Sequence, residues 1–455
     1  MGFLRIHLSR PIVILVLVAL GAGLCGLLLP IEIRAVEQQF LGFPDSNVAS
    51  HQARPWVLAA LFFLPALTAI IYSFWGALDR YVFRQFLTIF VICLCTLFMI
   101  WLLIDLTDNI GEFTNSGNFI QTAGIYYLTR LPAILVLFLP YSMLLALLYA
   151  LGRLSANREI IAMIQAGRGV WRVTLPLLAA GIMCVLLSLG LNYHWAPVAE
   201  GDAENLLNQA RGKKATEASQ VLFRNQEKRR LWMIGEFPPD YQNGKALVHV
   251  EVTTTDSQQM LVSRLSAERA WWDRTNRQWT FDGAVLGIYS PDNPPDFQKF
   301  DKPLVIHSWA ETPWQLIKPG LSPQNLGIPD LSTWLNANGT LNGGADSSPY
   351  LTHWHYRWAL PFTCLVTVLL AAPLGIYFSR RGPGGGVFLS VVLSAAMLLV
   401  STVIIAFGEA GMMRPALAAW LPNIIFTLLG AYLFHLRVTG RPIYHTIRKL
   451  LPNDS

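Results

Sequence analysis

The sequence predicts a polytopic α-helical membrane protein with six core spans, two extra N-terminal spans and an inserted periplasmic all-β domain of the jelly-roll kind. Three observations predict this fold class. Hydrophobic residues make up 53% of the chain and charged residues only 14%, whereas soluble proteins carry about 25% charged residues. Eight apolar runs reach the roughly 20 residues that a membrane-spanning helix needs. One long polar stretch, 196–352, interrupts these runs with short β-like segments.

The apolar runs give the order of elements along the chain. They lie at 11–30, 56–77, 86–106, 124–150, 173–195, 356–378, 386–407 and 416–436. The first run follows Arg5 and Arg10 as in a signal peptide, but no convincing cleavage site follows it, so we expect a retained membrane helix. The predicted regions are two extra N-terminal transmembrane helices (1–77), core helices 1–3 (78–196), the β-domain with its linker (197–352), core helices 4–6 (353–437) and a cytoplasmic tail (438–455).

Basic residues predict the orientation of the chain. Lys and Arg concentrate in the short loops that stay in the cytoplasm. With the N-terminus inside, 14 of them fall in cytoplasmic segments and 4 in the short outer loops. Residues 151–172, 379–385 and the C-terminus are therefore expected inside, and 196–352 outside. Since the same clustering explains the net charge of +6, we expect no nucleic-acid binding.

Within the polar stretch, segments rich in Val, Ile, Trp and Tyr predict β-strands. They lie at 231–237, 246–252, 260–272, 278–289 and 303–309, and turn clusters separate them at 238–244, 273–276 and 291–295. A polar helix is expected before the strands, at 200–214, and a linker rich in Gly, Asn and Ser after them, at 336–348. Short strands at this spacing are typical of a small sandwich or jelly roll.

The usual motifs of catalysis and cofactor binding are missing from the sequence. All five cysteines lie in apolar runs, so the polar stretch offers neither a disulfide nor a cysteine zinc site. There is no phosphate-binding loop. His353 and His355 fit an aromatic belt at the membrane interface better than a metal pair. We therefore expect no catalytic residue, no metal and no cofactor in this chain.

The charged segment 151–172 lies between two apolar runs and therefore at a membrane face. Asn157 is predicted to cap a short helix that ends near Gly167. The apolar stripe of this helix consists of Ile160, Ile161 and Ile164. One face of the helix can then pack while a neighbouring face presents Glu159. This arrangement favours docking of a cytoplasmic partner, and the alternative is an ordinary solvated interfacial helix.

Ionisable residues near the outer ends of three spans are candidate lipid contacts. Asp105 lies in the third span, Arg130 in the fourth and Arg357 at the start of the sixth. Charged groups within a membrane usually mark a function, and arginines at this depth can meet the phosphates of a lipid headgroup. The alternative is that they snorkel to the interface.

Alternation along two strands predicts a lining for acyl chains. Val250 and Val252 share one face of their strand, and Trp232 and Ile234 share a face of the preceding strand. These four residues are candidates for the interior of an open jelly roll whose edge pairs with another jelly roll by strand addition. A closed sandwich core explains the same pattern equally well.

Five motifs together resemble those of one known family. They are Leu78-Asp-Arg-Tyr-Val-Phe-Arg84, Arg158-Glu-Ile-Ile-Ala-Met-Ile-Gln-Ala-Gly167, Trp195-Ala-Pro197, Trp279-Thr-Phe-Asp-Gly283 and Pro415-Ala-Leu-Ala-Ala-Trp-Leu-Pro-Asn423. With the order of the spans, they make the stretch 78–436 closely similar to the LptF/LptG permeases of the lipopolysaccharide-export ABC transporter. The chain departs from that pattern in its two extra N-terminal spans and in Asp105 and Asp108, which replace basic residues.

The resemblance implies a half-transporter in the inner membrane of a Gram-negative-type bacterium. Its implied partners are a second LptF/LptG-type permease and a cytoplasmic ABC ATPase dimer, so ATP hydrolysis belongs to a separate subunit. Its implied substrate is lipopolysaccharide, which it extracts from the inner membrane and passes to a periplasmic bridge of jelly-roll proteins of the LptC/LptA type. The implied coupling helix spans about 156–167, with Arg158, Glu159, Ile160, Gln165 and Gly167 as ATPase-coupling residues.

Two other functions stay open at this point. A secondary transporter needs ionisable residues or broken helices at mid-membrane, and the predicted spans are nearly free of charge there. A membrane-anchored enzyme acting on envelope glycolipid needs an acid/base pair in the outer domain. Glu236, His249 and Glu251 are of the right types for such a pair but form no known motif.

Overall fold

The computed structural model describes residues 10–40, 48–115, 118–210, 218–225, 228–238, 241, 244–256, 258, 260–273, 276–290, 293–309, 311–317, 322–338, 347–378 and 383–439. Within these ranges, eight helices are long and apolar enough to cross a membrane, which confirms the eight predicted spans. The expected linker 336–348 and loop 379–385 lie partly outside the described residues, and the tail 438–455 lies almost wholly outside them.

The helices before the β-domain are α1 (Arg10–Phe40), α2 (Val48–Gln52), α3 (Arg54–Phe74), α4 (Ala77–Asn115), α5 (Phe119–Ala156), α6 (Glu159–Gln165), α7 (Val170–Tyr193) and α8 (Trp195–Ala210). Those after it are α9 (Pro313–Ile317), α10 (Ile328–Asn338), α11 (Ser348–Ala359), α12 (Thr363–Phe378), α13 (Pro383–Glu409) and α14 (Pro415–Val438). A 3₁₀ turn at Leu360–Phe362 joins α11 to α12 into one span. The short helices α9 and α10 were not predicted. We call the end of the bundle at α8 the β-domain end and the end at α6 the coupling end.

Helix α5 is the centre of the bundle. Its sequence is strongly apolar without a polar face, as expected for a helix that is surrounded by others, and it contacts α4, α7, α8, α12 and α13. Leu144, Leu147 and Leu151 are completely buried. Small residues let the helices approach closely, since a Cβ added at Gly375 would lie only 2.7 Å from that of Leu151.

Helices α4 and α13 flank α5 and leave most of their surface open. Both contact α5, yet Val91 and Leu103 on α4, and Val391 and Leu399 on α13, are at least half exposed. A helix with such an apolar exposed face meets lipid or another membrane protein. Each of these two helices therefore presents an open apolar face in the described structure.

Helices α1 and α3 form an N-terminal hairpin that packs on the core bundle. They contact each other, and α3 contacts α7. Both contacts depend on glycine, because a Cβ added at Gly21 would lie 2.9 Å from the Phe62 carbonyl oxygen and one at Gly190 would overlap Leu61. The two extra spans are thus an integral part of the described bundle.

The polar stretch folds into an antiparallel sheet of eight strands. They are β1 (Ala218–Asn225), β2 (Arg230–Phe237), β3 (Leu247–Thr255), β4 (Leu261–Asp273), β5 (Gln278–Asp282), β6 (Val285–Ser290), β7 (Asn293–Lys299) and β8 (Leu304–Ile306). Neighbouring strands follow the order β1-β2-β3-β4-β5-β8, while β6 pairs with β4 and β7. The 13 residues of β4 allow it to pair with β6 near its start and with β5 near its end.

The structure differs from the strand and turn predictions at four places, two of which are that β1 was not predicted and that β8 is shorter than the predicted 303–309. The predicted strand 278–289 is two strands, because Gly283 adopts a φ of 64° between β5 and β6. The predicted turn 291–295 is wrong from Asn293 onward, where β7 begins. Its prolines are tolerated because β7 pairs with β6 alone among the described strands, and edge strands accept residues that donate no hydrogen bond.

Candidate functional site

The element at the coupling end is α6, a helix of seven residues at Glu159–Gln165. It is shorter than the predicted 156–167, because α5 runs on to Ala156 and Asn157 caps its C-terminal end. The predicted cap at Asn157 is wrong, since Arg158 occupies that position in a left-handed conformation with φ 60°. Gly167, with φ 86°, turns the chain after the helix.

Helix α6 buries one face and exposes another. Ile160 and Met163 belong to the bundle core, whereas Ile161 and Ile164 are 50% and 40% exposed. The predicted stripe is therefore divided between two faces, because consecutive helical residues point about 100° apart. Of the predicted coupling residues, Ile160 anchors the helix, while Arg158, Gln165 and Gly167 are exposed.

Glu159 is held in place by two hydrogen bonds. The Tyr81 hydroxyl donates to its Oε2 at 2.8 Å, and Asn157 Nδ2 donates to its Oε1 at 3.1 Å. Gln85 Nε2 donates in turn to the Tyr81 oxygen at 3.4 Å. The carboxylate is only half-buried, so it remains available to a cationic donor of another protein. With Ile161 and Ile164 beside it, this face of α6 offers a negative charge next to an apolar surface.

A second link joins the loop after α6 to α4. Arg168 Nη1 donates to Asp79 Oδ1 at 2.5 Å, and both side chains are largely buried. Sequence reasoning missed this ion pair, because 89 positions separate the two residues. Together with the contact between Tyr81 and Glu159, it fixes both sides of α6 to the first turns of α4.

At the β-domain end, two predicted lipid contacts pair with each other. Arg130 Nη1 lies 2.8 Å from Asp105 Oδ1 and also donates to the Tyr126 hydroxyl. The guanidinium stands 5.2 Å from the ring centre of Trp101 and 5.6 Å from that of Tyr126, within the range of a cation–π interaction. Asp105 thus orients Arg130 and offsets part of its charge.

The third predicted contact, Arg357, is only 7% exposed. Its Nη1 donates to Asn192 Oδ1 at 3.2 Å and its Nη2 donates to the Gln324 carbonyl oxygen. Asn192 Nδ2 donates to the Arg357 carbonyl oxygen at 2.7 Å. Within the described part of the chain, Arg357 Nε has no hydrogen-bond partner. An unsatisfied buried donor is costly, so an acceptor that a ligand supplied there would be stabilised.

Arg130 and Arg357 line one cavity of about 300 Å³. Its polar wall also includes Tyr141, Asn192 and Glu200, and its apolar wall includes Ile134, Leu137, Met397, Leu398 and Ile405. The apolar wall comes from α5 and from the open helix α13. Two guanidinium groups beside an apolar wall suit an amphiphile that carries a negative charge next to its hydrocarbon part.

The four predicted lining residues of the β-domain lie in a closed core. Trp232 faces Val252 across the sheet, and Ile234 faces Val250. All four are at most 1% exposed and belong to one buried cluster that includes Trp279. The predicted alternation is present, but in this conformation it fills a core and does not line an open groove. Contact of these residues with lipid stays a prediction.

A buried ion pair in the β-domain attaches the segment before α9 to the sheet, and sequence reasoning missed it. Arg230 Nε lies 3.1 Å from Glu311 Oε1, and Asn225 Nδ2 donates to the same oxygen at 2.7 Å. Burial lowers the pKa of Arg230, while Glu311 opposes this shift. Trp279 Nε1 donates to the Glu311 carbonyl oxygen at 2.7 Å. These contacts fix the segment before α9 to the sheet.

The residues considered for an enzyme in the outer domain do not assemble into an acid/base pair in the described strands. Glu251 Oε1 lies 2.7 Å from Arg264 Nε, and the hydrogen bond to Glu251 raises the pKa of Arg264. Glu236 faces Val248 across the sheet. Among the residues that the structure describes, no group of three or more His, Cys, Asp or Glu side chains is arranged to hold a metal ion.

Comparison with known proteins gives one family. The model of the lipopolysaccharide export system permease LptF/LptG family matches residues 80–436. Two curated proteins are similar over a shorter stretch, the lipopolysaccharide export system permease protein LptG of Escherichia coli K12 and the protein of the same name from Escherichia coli O6:H1. Each is 31% identical over 138 residues, which cover 30% of this chain and 38% of the relative. The N-terminal hairpin lies outside the family match.

Proposed function

Because the chain belongs to the LptF/LptG family of permeases, we propose that it is the transmembrane subunit of an ATP-driven exporter of lipopolysaccharide. It extracts the lipid from the inner membrane and passes it to a periplasmic bridge toward the outer membrane. The observation that carries this proposal is the family match over residues 80–436. That range includes α6, the cavity of Arg130 and Arg357, and the β-domain.

The open faces of α4 and α13 support a second permease as partner. Trp101 of α4 and Met397 of α13 both line the cavity, so the cavity lies between the two open helices. Its volume of about 300 Å³ is at the lower end of the range for small-ligand sites, about 300–1,000 Å³. It therefore accommodates part of a lipopolysaccharide headgroup, and a second permease on the open faces supplies the enclosure for the rest.

The chemistry of the cavity supports a phosphorylated amphiphile as substrate. Arg130 presents a cation that Asp105 offsets only in part, and Arg357 carries a buried donor without a partner in the described residues. Phosphate oxygens satisfy both groups. The apolar wall of α13 lies against acyl chains, whose exposure to water costs about 0.8 kcal/mol per CH₂.

The exposed face of α6 supports docking of a cytoplasmic ABC ATPase. Glu159 provides a fixed anion, and the adjacent isoleucines provide an apolar contact. ATP hydrolysis takes place in that separate subunit, and movement of α6 passes into α4 through Tyr81. This arrangement requires the coupling end to lie in the cytoplasm and the β-domain in the periplasm, as the distribution of Lys and Arg indicates.

The β-domain is then the first domain of the periplasmic bridge to receive the lipid. Among the described strands β1 pairs with β2 alone, so its second edge has no strand partner there, and we place addition of a strand from another jelly roll at that edge. Leu222 on β1 and Met233 on β2 face each other and are about half exposed. They provide an apolar contact beside that edge. Proteins of the LptC/LptA type have the right architecture for this contact.

Purification of the chain from detergent-solubilised membranes tests the proposed function. We expect an ABC ATPase and a second LptF/LptG-type permease to copurify with the tagged chain in fixed proportion. A chain with the same tag and Leu222→Asp should retain both partners, because this substitution lies in the β-domain. Recovery of the chain alone, or with proteins of neither class, would contradict the proposal.

A further inference from the structure

The N-terminal hairpin of α1 and α3 lies outside the family match, which begins at residue 80, so the family's function does not explain it. A hairpin that only anchored the chain in the membrane would need an apolar surface and little else. The structure instead shows specific contacts at both ends of α3, polar at one end and aromatic at the other. One set lies at the β-domain end and the other at the coupling end.

At the β-domain end, the hairpin is attached to α7 and α10. The Tyr193 hydroxyl, at the end of α7, donates to the Ser50 carbonyl oxygen at 2.7 Å. His51 Nε2 lies 3.1 Å from Thr333 Oγ1 of α10, and both residues are buried. Arg54 at the first position of α3 forms an ion pair of 2.6 Å with Glu32 of α1. We call these contacts, with Asp330, the outer clamp.

Asp330 on α10 is the charged centre of the outer clamp. It is buried, and its Oδ2 lies 3.7 Å from His194 Nδ1. Burial alone raises the pKa of this carboxyl, but His194, His51 and Arg54 outweigh burial and hold its pKa below the ordinary value. Asp330 is therefore an anion among basic groups, and two of those groups belong to the hairpin segment.

Helix α10 connects the outer clamp to the β-domain and to the core spans. It follows α9, whose Leu316 and Ile317 are buried in the β-domain core. On its other side it packs on α11, where Trp334 stacks on Tyr350 with ring centres 3.6 Å apart. Trp354 Nε1 of α11 donates to Ser332 Oγ at 2.9 Å. A displacement of α10 is therefore passed to the sixth span through these contacts with α11.

At the coupling end, aromatic side chains join α3 to α4, and Gly76 in the connection between these helices lies beside Arg168 of the loop after α6. Tyr72, Trp75 and Phe83 form an aromatic cluster with ring centres 5.2 to 6.2 Å apart. The connection from α3 to α4 then passes beneath the ion pair of Asp79 and Arg168, since a Cβ added at Gly76 would lie 3.2 Å from the Asp79 carboxylate. We call this cluster and ion pair the inner clamp.

Helix α3 connects the two clamps directly. Its 21 residues span about 30 Å, which is the thickness of the hydrocarbon core of a bilayer. Between its ends it lies against α7, where a Cβ added at Gly190 would overlap the side chain of Leu61. The hairpin is therefore a continuous connection between the loop of the coupling helix and the helix that follows the β-domain.

We propose that the N-terminal hairpin is a brace that positions the coupling loop 157–169 and α10 relative to each other, with Arg168 and Asp330 as its positioning residues. The role of the brace would be to transfer ATP-driven movement to the β-domain, and this role rests on the proposed function. A brace couples the coupling loop to α10 energetically, and such coupling acts equally in both directions. Loosening of either clamp must therefore loosen the element at the other end.

Hydrogen–deuterium exchange of the full-length protein in lipid nanodiscs tests the brace. Arg168→Gln breaks the ion pair of the inner clamp, and we expect the backbone amides of α10 to exchange at least about threefold faster. Asp330→Asn should accelerate exchange of 157–169 to a similar extent. The double variant Asp79→Arg with Arg168→Asp restores an ion pair and should return α10 toward the original rate. Arg172→Gln, at an exposed arginine near the same loop, is the matched control.

The brace is wrong if Arg168→Gln loosens only its own loop and leaves the exchange of α10 unchanged. It is also wrong if exchange rises uniformly, including in the buried strand β3, because that result indicates general destabilisation. The readout requires neither ATPase nor lipopolysaccharide. If α10 does not respond to Arg168→Gln, the brace is rejected and the proposed export function is unaffected. If α10 responds but the protein does not export lipopolysaccharide, only the proposed export function is rejected.

Discussion

The Tyr81 hydroxyl donates a hydrogen bond of 2.8 Å to Glu159 Oε2 and so joins the first turns of α4 to the first residue of α6. Glu159 is the acid with which the chain is proposed to contact its ATPase, and α4 contributes Trp101 to the cavity of Arg130 and Arg357. One hydrogen bond therefore lies on the path between the two functional ends. Its removal should affect transmission more than docking.

Tyr81→Phe should lower the amount of lipopolysaccharide released per ATP while the ATPase still copurifies. A partly exposed hydrogen bond contributes about 0.5–1.5 kcal/mol, so the expected loss is roughly two- to tenfold. Tyr432→Phe, at an exposed tyrosine of α14, is the matched control and should have no effect. An equal loss in both variants, or none in either, would show that the contact does not transmit movement.

Glu159→Lys should abolish copurification of the ATPase, while the chain still inserts into the membrane. Coupling between charged pairs at interfaces amounts to about 1.5–7 kcal/mol, so recovery should fall at least about tenfold. Glu159→Gln removes the charge but keeps a polar group, and should have a smaller effect. Arg172→Glu makes a comparable change of charge outside α6 and should retain the ATPase. Full recovery with Glu159→Lys would remove this residue from the interface.

Substitutions of Arg130 and Asp105 should change lipid capture in opposite directions. A photo-crosslinking residue at Leu398, in the cavity wall, reports the lipid. Arg130→Gln removes a charged donor worth about 1.5–3 kcal/mol and should lower capture at least about tenfold, whereas Arg130→Lys should retain most of it. Asp105→Asn frees Arg130 from its ion pair and should raise capture. A decrease with Asp105→Asn would show that the ion pair itself is needed at this site.

Ile234→Asp should unfold the β-domain, because it places a charge in the closed core. Loss of a buried isoleucine alone costs about 2–5 kcal/mol, and an unpaired buried charge adds to this. Limited proteolysis of the full-length protein measures the effect, with Leu222→Asp at an exposed position of β1 as the control. A folded domain that no longer passes on lipid would favour the predicted acyl-chain lining over the core.

The spans were predictable from the sequence because bilayer thickness requires long apolar helices, and such helices are visible in the sequence as long apolar runs. The β-domain was harder to predict. Pro294 and Pro295 indicated a turn, but β7 tolerates them as an edge strand. Ile160 and Ile161 were assigned to one face, although only Ile160 is buried. In both cases the residue pattern within the segment did not suffice to predict the structure. Neighbouring elements determine which edge of a strand is paired and which face of a helix is buried.

The contacts between distant elements were not predictable from sequence spacing. Arg168 and Asp79 are 89 positions apart, and His51 and Thr333 are 282 positions apart. Arg130 and Arg357 were each predicted as lipid contacts, but their place in one cavity depends on how α5 and α11 pack. Asp330 gave no signal in the sequence because it lies in α10, a helix that was not predicted.

ATP-driven export by this chain can be measured as release of lipopolysaccharide from proteoliposomes. The complex copurified with the chain is reconstituted with lipopolysaccharide, and a soluble jelly-roll acceptor is added outside. We expect lipopolysaccharide to be transferred to the acceptor in a reaction that requires ATP and is lost with Glu159→Lys in the chain. Transfer that proceeds equally without ATP, or ATP hydrolysis by the complex without any transfer, would contradict it.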